Sequence, residues 1–463
     1  MRPLTVAEIA SVVSGGLKGS GQTIVSGVST DSRNVATGEI FFALKGPNFD
    51  GHAFVAQVFA KGASAAVVET TAGLEGLPAS AVVIVVKDTL RALGALASYV
   101  RRLYRIPFVA VTGSAGKTTT KEMIASILSR SRNVLKTEGN KNNLIGVPLT
   151  LFRLEPAHDA AVIELGISED WEMERLVDMC APDVAVITNI GRGHLATLGS
   201  LDGVARAKGP LYTRLGAHGV KVVNLDDPWV VKAAGAGGAS VTYGLKQKAD
   251  VSVESYRVEE GFGGVTAVYD VGGRKVEARF TTPGITNVVN GAAAIAATLA
   301  LGAPLEDMAE GLRAYSPVKG RMTVVVAGGL TILDDTYNAN PESMASALRT
   351  LGAARGRKVA VLGDMLELGE ASESEHASIG ALAAGVGVDV LVAIGALSAR
   401  TAEGARSAGL RAVFDFRDKK TALASLRAIV AEGDTVLVKG SRGVALEDVV
   451  EGLKELAPSR ECV

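Results

Sequence analysis

The residues best suited to chemistry form one short run, Gly113-Ser114-Ala115-Gly116-Lys117-Thr118, with Thr119 behind it. In such a G-x-x-G-K-T pattern the glycines let backbone N–H groups curl around a polyphosphate. The lysine would reach the β- and γ-phosphates, and the first threonine hydroxyl would bind Mg²⁺. The longer form of the motif needs a glycine where this chain has Val111, so only the shorter form is present. We expect a nucleoside triphosphate site here; a glycine-rich turn that merely caps a helix is the alternative.

Two further residues could hold a metal ion beside that loop. Glu164 ends the apolar run 160–165, and His194 follows shortly after the apolar run 184–189. Carboxylate and imidazole are suitable partners for Mg²⁺ or Mn²⁺ beside Thr118. The alternative for a lone histidine after a strand is a hydrogen bond within its own loop.

Two polar clusters are less specific. The run 139–148 is dense in amides, and Asn140 and Asn143 are its candidates for contacting a polar substrate. The alternative is a turn that uses asparagine in left-handed conformations. The pair Arg101-Arg102 could hold one anionic ligand, although the chain as a whole carries a net charge of only −1.

The elements that must position these residues read as buried parallel strands. Continuous apolar runs at 108–112, 160–165 and 184–189 are typical of strands covered on both faces, and a helix through Leu128 follows the glycine-rich loop. Ligand residues gather at the carboxyl ends of such strands. Period-two alternation around Gly-Gly turns at 251–281 predicts an antiparallel insertion or sheet edge, and an alanine-rich helix is predicted at 288–301.

Similar alternation of strands and helices precedes and follows this region. Residues 1–105 predict strands at 65–69 and 81–86 and a helix at 89–102. We therefore place domain boundaries near residues 105 and 317, giving three α/β domains at 1–105, 106–316 and 317–463. The strands predicted for the last domain are 330–334, 358–362, 388–394, 412–416 and 435–439, with helices at 373–384 and 420–431 between some of them.

Composition agrees with parallel sheets under small-residue helices. The 463 residues are 48% hydrophobic but only 5% aromatic, and they include 54 glycines. The high hydrophobic content excludes a disordered chain, and two cysteines are too few for a domain held together by disulfides. The balanced charge gives no case for nucleic acid. Two distant cysteines, Cys180 and Cys462, predict a reduced cytoplasmic protein without structural zinc. The first sixteen residues lack a signal-peptide core, and no apolar run is long enough to span a membrane.

These residues and several longer runs resemble a known family, the ATP-dependent Mur ligases of bacterial peptidoglycan synthesis. The resemblance covers nearly the whole length and rests on these runs: STDSR, TGSAGKTTT, GNKNNLIGVPLTL, AVIELG, GRGHLATLGSLDGVARAKGPLY, GITNVVNGAAAIAA, LDDTYNANPESM and LGDMLELGE. The last two are most similar to the member that joins D-alanyl-D-alanine to UDP-N-acetylmuramoyl-tripeptide. The resemblance implies a UDP-binding N-terminal domain, a central P-loop ATPase-type domain and a C-terminal Rossmann-like domain.

The resemblance also implies an activity and an assembly state. ATP would phosphorylate the tripeptide carboxylate, and the dipeptide amine would then displace phosphate, an EC 6.3.2 reaction (6.3.2.10) that makes the pentapeptide precursor of the cell wall. This step would connect the protein to cell shape and division. A cytoplasmic monomer is expected.

Residue roles carried over from the family are expectations of the same kind. Lys208 matches a lysine that carries a carbamate and helps to hold a second metal ion with Thr118, Glu164 and His194. The residues matched to ATP contacts are Asn287 for adenine, Arg321 for phosphate and Asp335 for ribose. Those matched to the UDP end are Asp31, Ser32 and Arg33, while Lys439, Ser441 and Arg442 either face the incoming dipeptide or form a surface turn.

Three positions depart from the family pattern. Thr286 stands where a histidine is usual, and Ala196 and Pro210 stand where acids are usual. Pro210 suits the first turn of a helix, because proline needs no partner for an N–H there. The alternatives are a folylpolyglutamate-type ligase or another peptide-adding Mur ligase and, from a different class, a P-loop switch without ligase activity.

Overall fold

The structure, a computed structural model, describes residues 1–72, 75 and 77–455 and consists of three α/β domains in chain order. Each domain is built on its own sheet, as the sequence predicted. Among these residues, no helix combines the length and the apolar character needed to cross a bilayer.

The N-terminal domain has a five-stranded sheet of order β2-β7-β6-β5-β4, parallel except for β2, and a separate pair of β1 with β3. Its central strands form from short, fully buried runs such as Ala65–Val68. The strands are β1 Leu4–Thr5, β2 Gly16–Lys18, β3 Ile24–Val25, β4 Gly27–Ser29, β5 Glu39–Phe42, β6 Ala65–Val68 and β7 Val83–Val85. The helices are α1 Val6–Val12, α2 Val55–Ala60 and α3 Thr89–Arg102, with a 3₁₀ turn at Gly51–Phe54.

The middle domain has a nine-stranded sheet of order β16-β15-β14-β13-β12-β11-β8-β10-β9. Its strands are β8 Phe108–Thr112, β9 Val134–Lys136, β10 Ala160–Glu164, β11 Val184–Ile187, β12 Val220–Asn224, β13 Ala239–Gly244, β14 Val251–Val258, β15 Val265–Val271 and β16 Arg274–Phe280. Its helices are α4 Lys117–Leu128, α5 Gly146–Leu151, α6 Glu172–Cys180, α7 Leu195–Leu198, α8 Leu201–Lys208, α9 Pro210–Thr213, α10 Pro228–Ala234, α11 Ile285–Leu299 and α12 Leu305–Ala314. A 3₁₀ turn lies at Glu260–Phe262.

The C-terminal domain has a six-stranded sheet of order β17-β18-β22-β19-β20-β21, parallel except for β17. Its strands are β17 Thr323–Ala327, β18 Leu330–Asp334, β19 Lys358–Gly363, β20 Val390–Ile394, β21 Ala412–Phe416 and β22 Thr435–Lys439. Its helices are α13 Pro341–Gly352, α14 Ser372–Gly385, α15 Ser398–Ser407, α16 Lys419–Ile429 and α17 Glu447–Glu455, with a 3₁₀ turn at Gly369–Ala371.

Alternation along strand β8 shows how the middle sheet is covered on both faces. Phe108 and Ala110 belong to a core shared with the N-terminal domain, whereas Val109 and Val111 belong to the opposite core under α4, α11 and α12. All four side chains are fully buried, as the continuous apolar run predicted. The strand therefore ends, at Thr112, in the middle of the domain, where its last residues can present the glycine-rich loop.

Several elements agree closely with the sequence predictions, and the antiparallel strands predicted within 251–281 are confirmed as β14, β15 and β16 at one end of the sheet. Pro210 occupies the first turn of α9, as expected for proline. Strands β1 to β5, β9, β12, β13 and β17 were not predicted. Strand β17 is only partly buried and pairs on one side, at the edge of its sheet.

Cys180 is buried and free, and its surroundings raise the pKa of the thiol to about 12. The loss of solvation on burial is the cause, because it disfavours the thiolate. Cys462 lies outside the described residues.

Candidate active site

The glycine-rich loop after β8 can be built only with glycine at its two key positions. Gly113 has φ +145° and Gly116 has φ +81°, both in the region that other residues avoid. A Cβ on Gly113 would lie 2.0 Å from Thr188 Oγ1, and one on Gly116 would lie 2.5 Å from Asn290 Oδ1. Helix α4 begins at Lys117, so its N-terminus points backbone N–H groups at the loop. This geometry favours an anion.

The loop that follows β11 holds the glycine-rich loop in place. Asn189 Oδ1 accepts from the Ala115 N–H at 2.9 Å, and Asn189 Nδ2 donates to Ala115 O at 2.9 Å. Ser114 Oγ accepts from the Gly191 N–H at 2.8 Å. Sequence reasoning missed Asn189, and the only available signal was its position directly after a buried parallel strand.

Lys117 lies half-buried at the start of α4, with its Nζ donating to Gly113 O at 2.8 Å. Desolvation lowers the pKa of this lysine, the Glu164 carboxylate partly offsets the effect, and the Arg321 guanidinium adds to it. A cation held this way is paired with a carbonyl rather than with a carboxylate. The ammonium is therefore available to the charge of an incoming phosphate.

Glu164, at the end of β10, is 2% exposed and has one oxygen without a partner. Its Oε1 accepts from Asn142 Nδ2 at 2.8 Å, while its buried Oε2 has no hydrogen-bond donor among the described residues. An ionised oxygen left buried and unpaired is costly unless a cation meets it. This orphaned oxygen fits a divalent metal ion.

The described residues contain no group of three or more histidine, cysteine, aspartate or glutamate side chains that could hold a metal on its own. Mg²⁺ commonly uses only one or two carboxylates and takes its remaining ligands from phosphates and water. Glu164 together with the Thr118 hydroxyl therefore suits Mg²⁺ bound with a nucleotide better than a protein-only metal cage.

Lys208, at the end of α8, is 2% exposed and forms no ion pair among the residues described. Burial, together with the neighbouring charge of Lys117, lowers its pKa to about 7. Near neutral pH a large share of this side chain is therefore the uncharged amine, which is a nucleophile. An ordinary surface lysine has a pKa near 10.4 and is almost entirely protonated under the same conditions.

His194 faces the C-terminal domain in this structure. The residue has φ +57°, and its Nδ1 lies 2.7 Å from Glu367 Oε2. The hydrogen bond from His194 lowers the pKa of the Glu367 carboxyl. The Ala196 N–H also donates to Glu367 O at 3.0 Å. Sequence reasoning missed Glu367, although it lies within the LGDMLELGE run.

Three contacts bring the C-terminal domain onto the glycine-rich loop and its neighbour. Arg321 Nη2 donates to Thr118 Oγ1 at 3.2 Å, and its guanidinium lies 4.0 Å from the centre of the Tyr337 ring. Asn340 Nδ2 donates to Ser114 O at 3.2 Å. Beside them, Glu342 Oε2 accepts from the backbone N–H of residue 192 at 2.9 Å. Arg321 thus lies at the hydroxyl that would hold a metal ion.

Asp335 belongs to a buried polar cluster at the ends of β18 and β22. Its Oδ2 accepts from Lys439 Nζ at 2.6 Å, and its Oδ1 accepts from the Met322 N–H at 3.1 Å. Lys439 is 2% exposed, and desolvation lowers its pKa while the Asp335 carboxylate offsets the effect. Ser441 is buried, whereas Arg442 is exposed and pairs with Glu447. This cluster fixes the C-terminal loop that follows β22.

Two asparagines in the amide-rich run differ from the one that meets Glu164. The side chain of Asn143 accepts from the Ile145 and Gly146 N–H groups and so caps a local turn. Asn140 is exposed in the preceding turn. Asn142, which sequence reasoning did not single out, is the residue that hydrogen-bonds Glu164. Local turn geometry decides which amide faces the site, and composition does not reveal it.

The remaining predicted ligand contacts have local hydrogen-bond partners of their own. Asn287 is buried in the first turn of α11 and donates to Thr282 Oγ1 at 2.6 Å. In the N-terminal domain, hydrogen bonds from Arg33 lower the pKa of Asp31 to about 2. Ser32 O accepts from Lys61 Nζ at 2.9 Å. Asp31 and Arg33 are paired with each other on the surface and could exchange that pairing for a polar ligand.

The arrangement brings three cationic side chains to one anion-binding loop. Arg321 lowers the pKa of Lys117, Lys117 lowers that of Lys208, and the Glu164 carboxylate, which has one oxygen without a partner, acts on Lys117 in the opposite direction. Such a site can bind a polyphosphate, neutralise charge that develops during phosphoryl transfer and hold a divalent metal ion.

Comparison with known protein families matches all three domains. The Mur ligase family catalytic domain matches residues 24–101, the Mur ligase middle domain matches 111–298, and the Mur ligase glutamate ligase domain matches 320–442. The UDP-N-acetylmuramoyl-tripeptide–D-alanyl-D-alanine ligase of Escherichia coli is 37% identical over 461 residues, which cover 98% of this chain and 99% of the relative.

Solved structures give the same result. The crystal structure of MurF from Acinetobacter baumannii matches with a TM-score of 0.91 and 35% identity, covering 98% of this chain and 99% of its own. MurF from Thermotoga maritima in complex with ADP matches with a TM-score of 0.83 and 28% identity, covering 94% and 98%. With family models matching each domain in order and full-length relatives above one-third identity, the chain belongs to the Mur ligase family.

Proposed function

We propose that this protein is the ligase that joins D-alanyl-D-alanine to UDP-N-acetylmuramoyl-tripeptide at the expense of ATP. The product would be the UDP-linked pentapeptide used to build peptidoglycan. The observation that carries the proposal is the similarity to the Escherichia coli ligase of this specificity across 98% of the chain, through all three domains. The polar site between the middle and C-terminal domains supports the proposal, because its residues could bind a polyphosphate and a divalent metal ion.

The phosphoryl step would depend on positioning and charge. The terminal carboxylate of the tripeptide attacks the γ-phosphorus of ATP, ADP leaves, and an acyl phosphate results. The N–H groups of the 113–116 loop would hold the phosphates, and Lys117 would neutralise charge on the transferred group. Arg321, reaching Thr118 from the C-terminal domain, would add a second positive charge.

The second step forms the amide bond. The amine of D-alanyl-D-alanine attacks the acyl carbon, and inorganic phosphate leaves with the electron pair of the C–O bond. The C-terminal loop fixed by the Asp335–Lys439 pair is our candidate for presenting the dipeptide, with Ser441 and Arg442 next to it. Closure of this domain on the loop would exclude water, which would otherwise hydrolyse the acyl phosphate.

Magnesium would be held by Glu164 and Thr118, with Lys208 and His194 as further candidates. The ion, when bound, neutralises phosphate charge and polarises the oxygens of the transferred group. In the present arrangement Arg321 donates to the Thr118 hydroxyl, and His194 pairs with Glu367. Metal and nucleotide binding would therefore compete with these two contacts.

We also propose that Lys208 is carbamylated in the working enzyme. Its buried amine, with a pKa near 7, is uncharged often enough to attack the carbon of carbon dioxide: an N–C bond forms, one C=O electron pair moves onto oxygen, and the nitrogen releases a proton to solvent. The resulting carbamate is an anionic oxygen ligand, which the cationic neighbourhood of Lys117 would favour. Lys208→Ala should lose activity and regain part of it with added short carboxylic acids. Absence of rescue by any acid would count against the carbamate.

Asn287 and Asp335 remain our candidates for adenine and ribose, and Asp31, Ser32, Arg33, Asn140 and Asn143 for the UDP-linked substrate. Domain boundaries near 105 and 317, the EC number 6.3.2.10, a cytoplasmic location and a monomeric state belong to the same proposal.

The direct test is phosphate release from ATP with each substrate omitted in turn. We expect release only when UDP-N-acetylmuramoyl-tripeptide and D-alanyl-D-alanine are both present. Release that requires a single amino acid instead of the dipeptide would assign a different peptide-adding ligase. Release without either acceptor would indicate a nucleotide switch, and release with a folate would indicate a folylpolyglutamate-type ligase.

A further inference from the structure

A cavity of about 430 Å³ lies between the N-terminal and middle domains, and no residue of the glycine-rich loop lines it. Helix α3 forms one wall and α6 the other, and Arg214, after α9, contributes to the lining. Gly94, Ala95, Leu144 and Val177 give it a partly apolar lining. This volume is within the range of sites that hold small organic molecules, about 300–1,000 Å³.

The polar lining of the cavity is strongly cationic. Arginines 91, 102, 175 and 214 line it, and Asp178 is the only acidic residue in the lining within the described part of the chain. Two of the four arginines are already paired, Arg214 with Asp178 at 2.8 Å and Arg91 with Asp88 at 3.3 Å. Arg102 and Arg175 form no ion pair with any residue in 1–72, 75 and 77–455. Like charges gathered in a cavity repel one another unless an anion joins them.

The neighbouring Arg101 shows what an arginine with a structural role looks like here. It is buried, and it donates to Cys180 O at 2.7 Å, to Ala181 O at 2.9 Å and to Tyr104 O at 3.0 Å. These bonds satisfy the carbonyls at the ends of α3 and α6. Arg102 is exposed and makes no such bonds to helix-end carbonyls within the described residues, and it lines the α3–α6 cavity, which Arg101 does not. The sequence pair therefore divides into one structural residue and one that faces an open space.

We propose that the α3–α6 cavity is a binding site for a small organic phosphate. The phosphate would lie on Arg102 and Arg175, and the organic part on the apolar lining. Guanidinium groups suit this role, because their planar N–H fork matches two phosphate oxygens. The same chemistry is offered by a free sugar or glycerol phosphate and by the head group of an anionic lipid. The site needs no ATP turnover and would bridge two domains.

Trp171 provides a local probe, because Arg175 lies 4.4 Å from the centre of its ring. The chain has two tryptophans, so Trp229→Phe leaves Trp171 as the only one. In that background, titration with sn-glycerol 3-phosphate should give a saturable change in Trp171 fluorescence. A Lys117→Ala change in the same background should leave the titration unchanged, because Trp171 reports on the α3–α6 cavity and not on phosphate bound at the glycine-rich loop.

Removal of cavity charge should weaken the binding and leave the probe intact. We expect the double variant Arg91→Gln, Arg102→Gln to lower the affinity for glycerol 3-phosphate by about tenfold or more. Arg102→Gln removes a charge-assisted hydrogen bond to the phosphate, and Arg91→Gln removes the long-range attraction of a second positive charge. The matched control is Arg274→Gln with Arg411→Gln, two exposed residues outside the cavity, which removes the same charge. Thermal unfolding would establish that both double variants are folded. Equal affinity in the cavity variant and the control variant would overturn the site. The absence of a saturable signal would also overturn it, unless anionic vesicles bind in a manner that the cavity variant loses.

Vesicles distinguish the source of the phosphate. Sedimentation with phosphatidylglycerol vesicles but not phosphatidylcholine vesicles, lost in the cavity variant and kept in the control, would assign a lipid head group. Fluorescence saturation without vesicle binding would assign a free phosphate. Vesicle binding that both double variants retain, without saturation by glycerol 3-phosphate, would place the contact elsewhere and overturn the proposal.

Discussion

The middle domain meets its two neighbours through interfaces of opposite character. Toward the N-terminal domain, α3 packs on α5 and α6, and side chains such as Leu96 and Leu176 belong to one continuous apolar core. Toward the C-terminal domain, the contacts at the site are hydrogen bonds, mostly from side chains, among them Arg321 to Thr118 and His194 to Glu367. Each such bond contributes only about 0.5–1.5 kcal/mol, because water replaces it when it breaks. We therefore expect the first interface to remain closed and the second to open more readily.

The largest expected effect follows from breaking the polar interface at its cation. Arg321→Ala should lower kcat by about 100-fold or more, because a preorganised charge at the transferred phosphate is lost. Stability should hardly change, since the residue forms one long hydrogen bond and a ring contact. Steady-state phosphate release would measure it.

Lys319→Ala is the matched control. Lys319 lies two residues before Arg321 and carries the same charge, but its side chain is exposed and pairs with Glu451. The variant should retain nearly full activity. Equal losses in the two variants would show that domain charge, rather than the contact at Thr118, is what matters.

The apolar interface should respond in the opposite manner. Leu96→Ala should lower the free energy of unfolding by about 2–5 kcal/mol, because it leaves a cavity where a fully buried side chain packed. The folded variant should keep its kcat. Urea unfolding followed by circular dichroism would measure the loss.

Leu103→Ala, at the exposed end of the same helix, is the control and should cost well under 1 kcal/mol. A Leu96 variant as stable as this control would contradict a shared core between the two domains.

Lys208 tests how deeply the polar site is buried. Its folded pKa of about 7 lies below the unfolded value of about 10.4, so between these pH values the unfolded chain binds more protons. Stability should therefore rise with pH in this window, by about 2 kcal/mol between pH 7 and 9 relative to Lys208→Met. The measurement is urea unfolding in buffers free of carbon dioxide. Parallel pH profiles for the two proteins would show that the amine is solvated in solution.

The smallest effect belongs to the contact between His194 and Glu367. Glu367→Gln should weaken the association between the middle and C-terminal domains by about 1 kcal/mol or less, because the side chains of His194 and Glu367 are both partly exposed. Small-angle scattering without nucleotide should show a slightly larger radius of gyration, whereas Glu370→Gln, exposed on the same loop, should show none. A larger radius in the control alone would exclude this pair as a domain contact.

Sequence reasoning did well where one segment decides the outcome. The strands at 108–112, 330–334, 412–416 and 435–439 and the helix at 89–102 agree with the structure because buried runs and helical periodicity are local signals. It failed where distant segments decide. Asn189, Asn340 and Glu367 reach the site from three separate loops, and no spacing in the sequence indicates that those loops meet.

The amide-rich run shows the same limit at short range. Asn142, rather than Asn143, meets Glu164 because the turn between them rotates successive side chains apart. Lys208 is another case: its burial under the site comes from the packing of α8, and in sequence it looks like an ordinary lysine at a helix end.

The most direct test of the central claim is the mass of the product. ATP, UDP-N-acetylmuramoyl-tripeptide and D-alanyl-D-alanine should give a UDP-linked product heavier than the tripeptide by one dipeptide less one water, with one phosphate released per product. Lys117→Ala, run in parallel, should give neither. Phosphate release without this product, or a product extended by a single amino acid, would contradict the account.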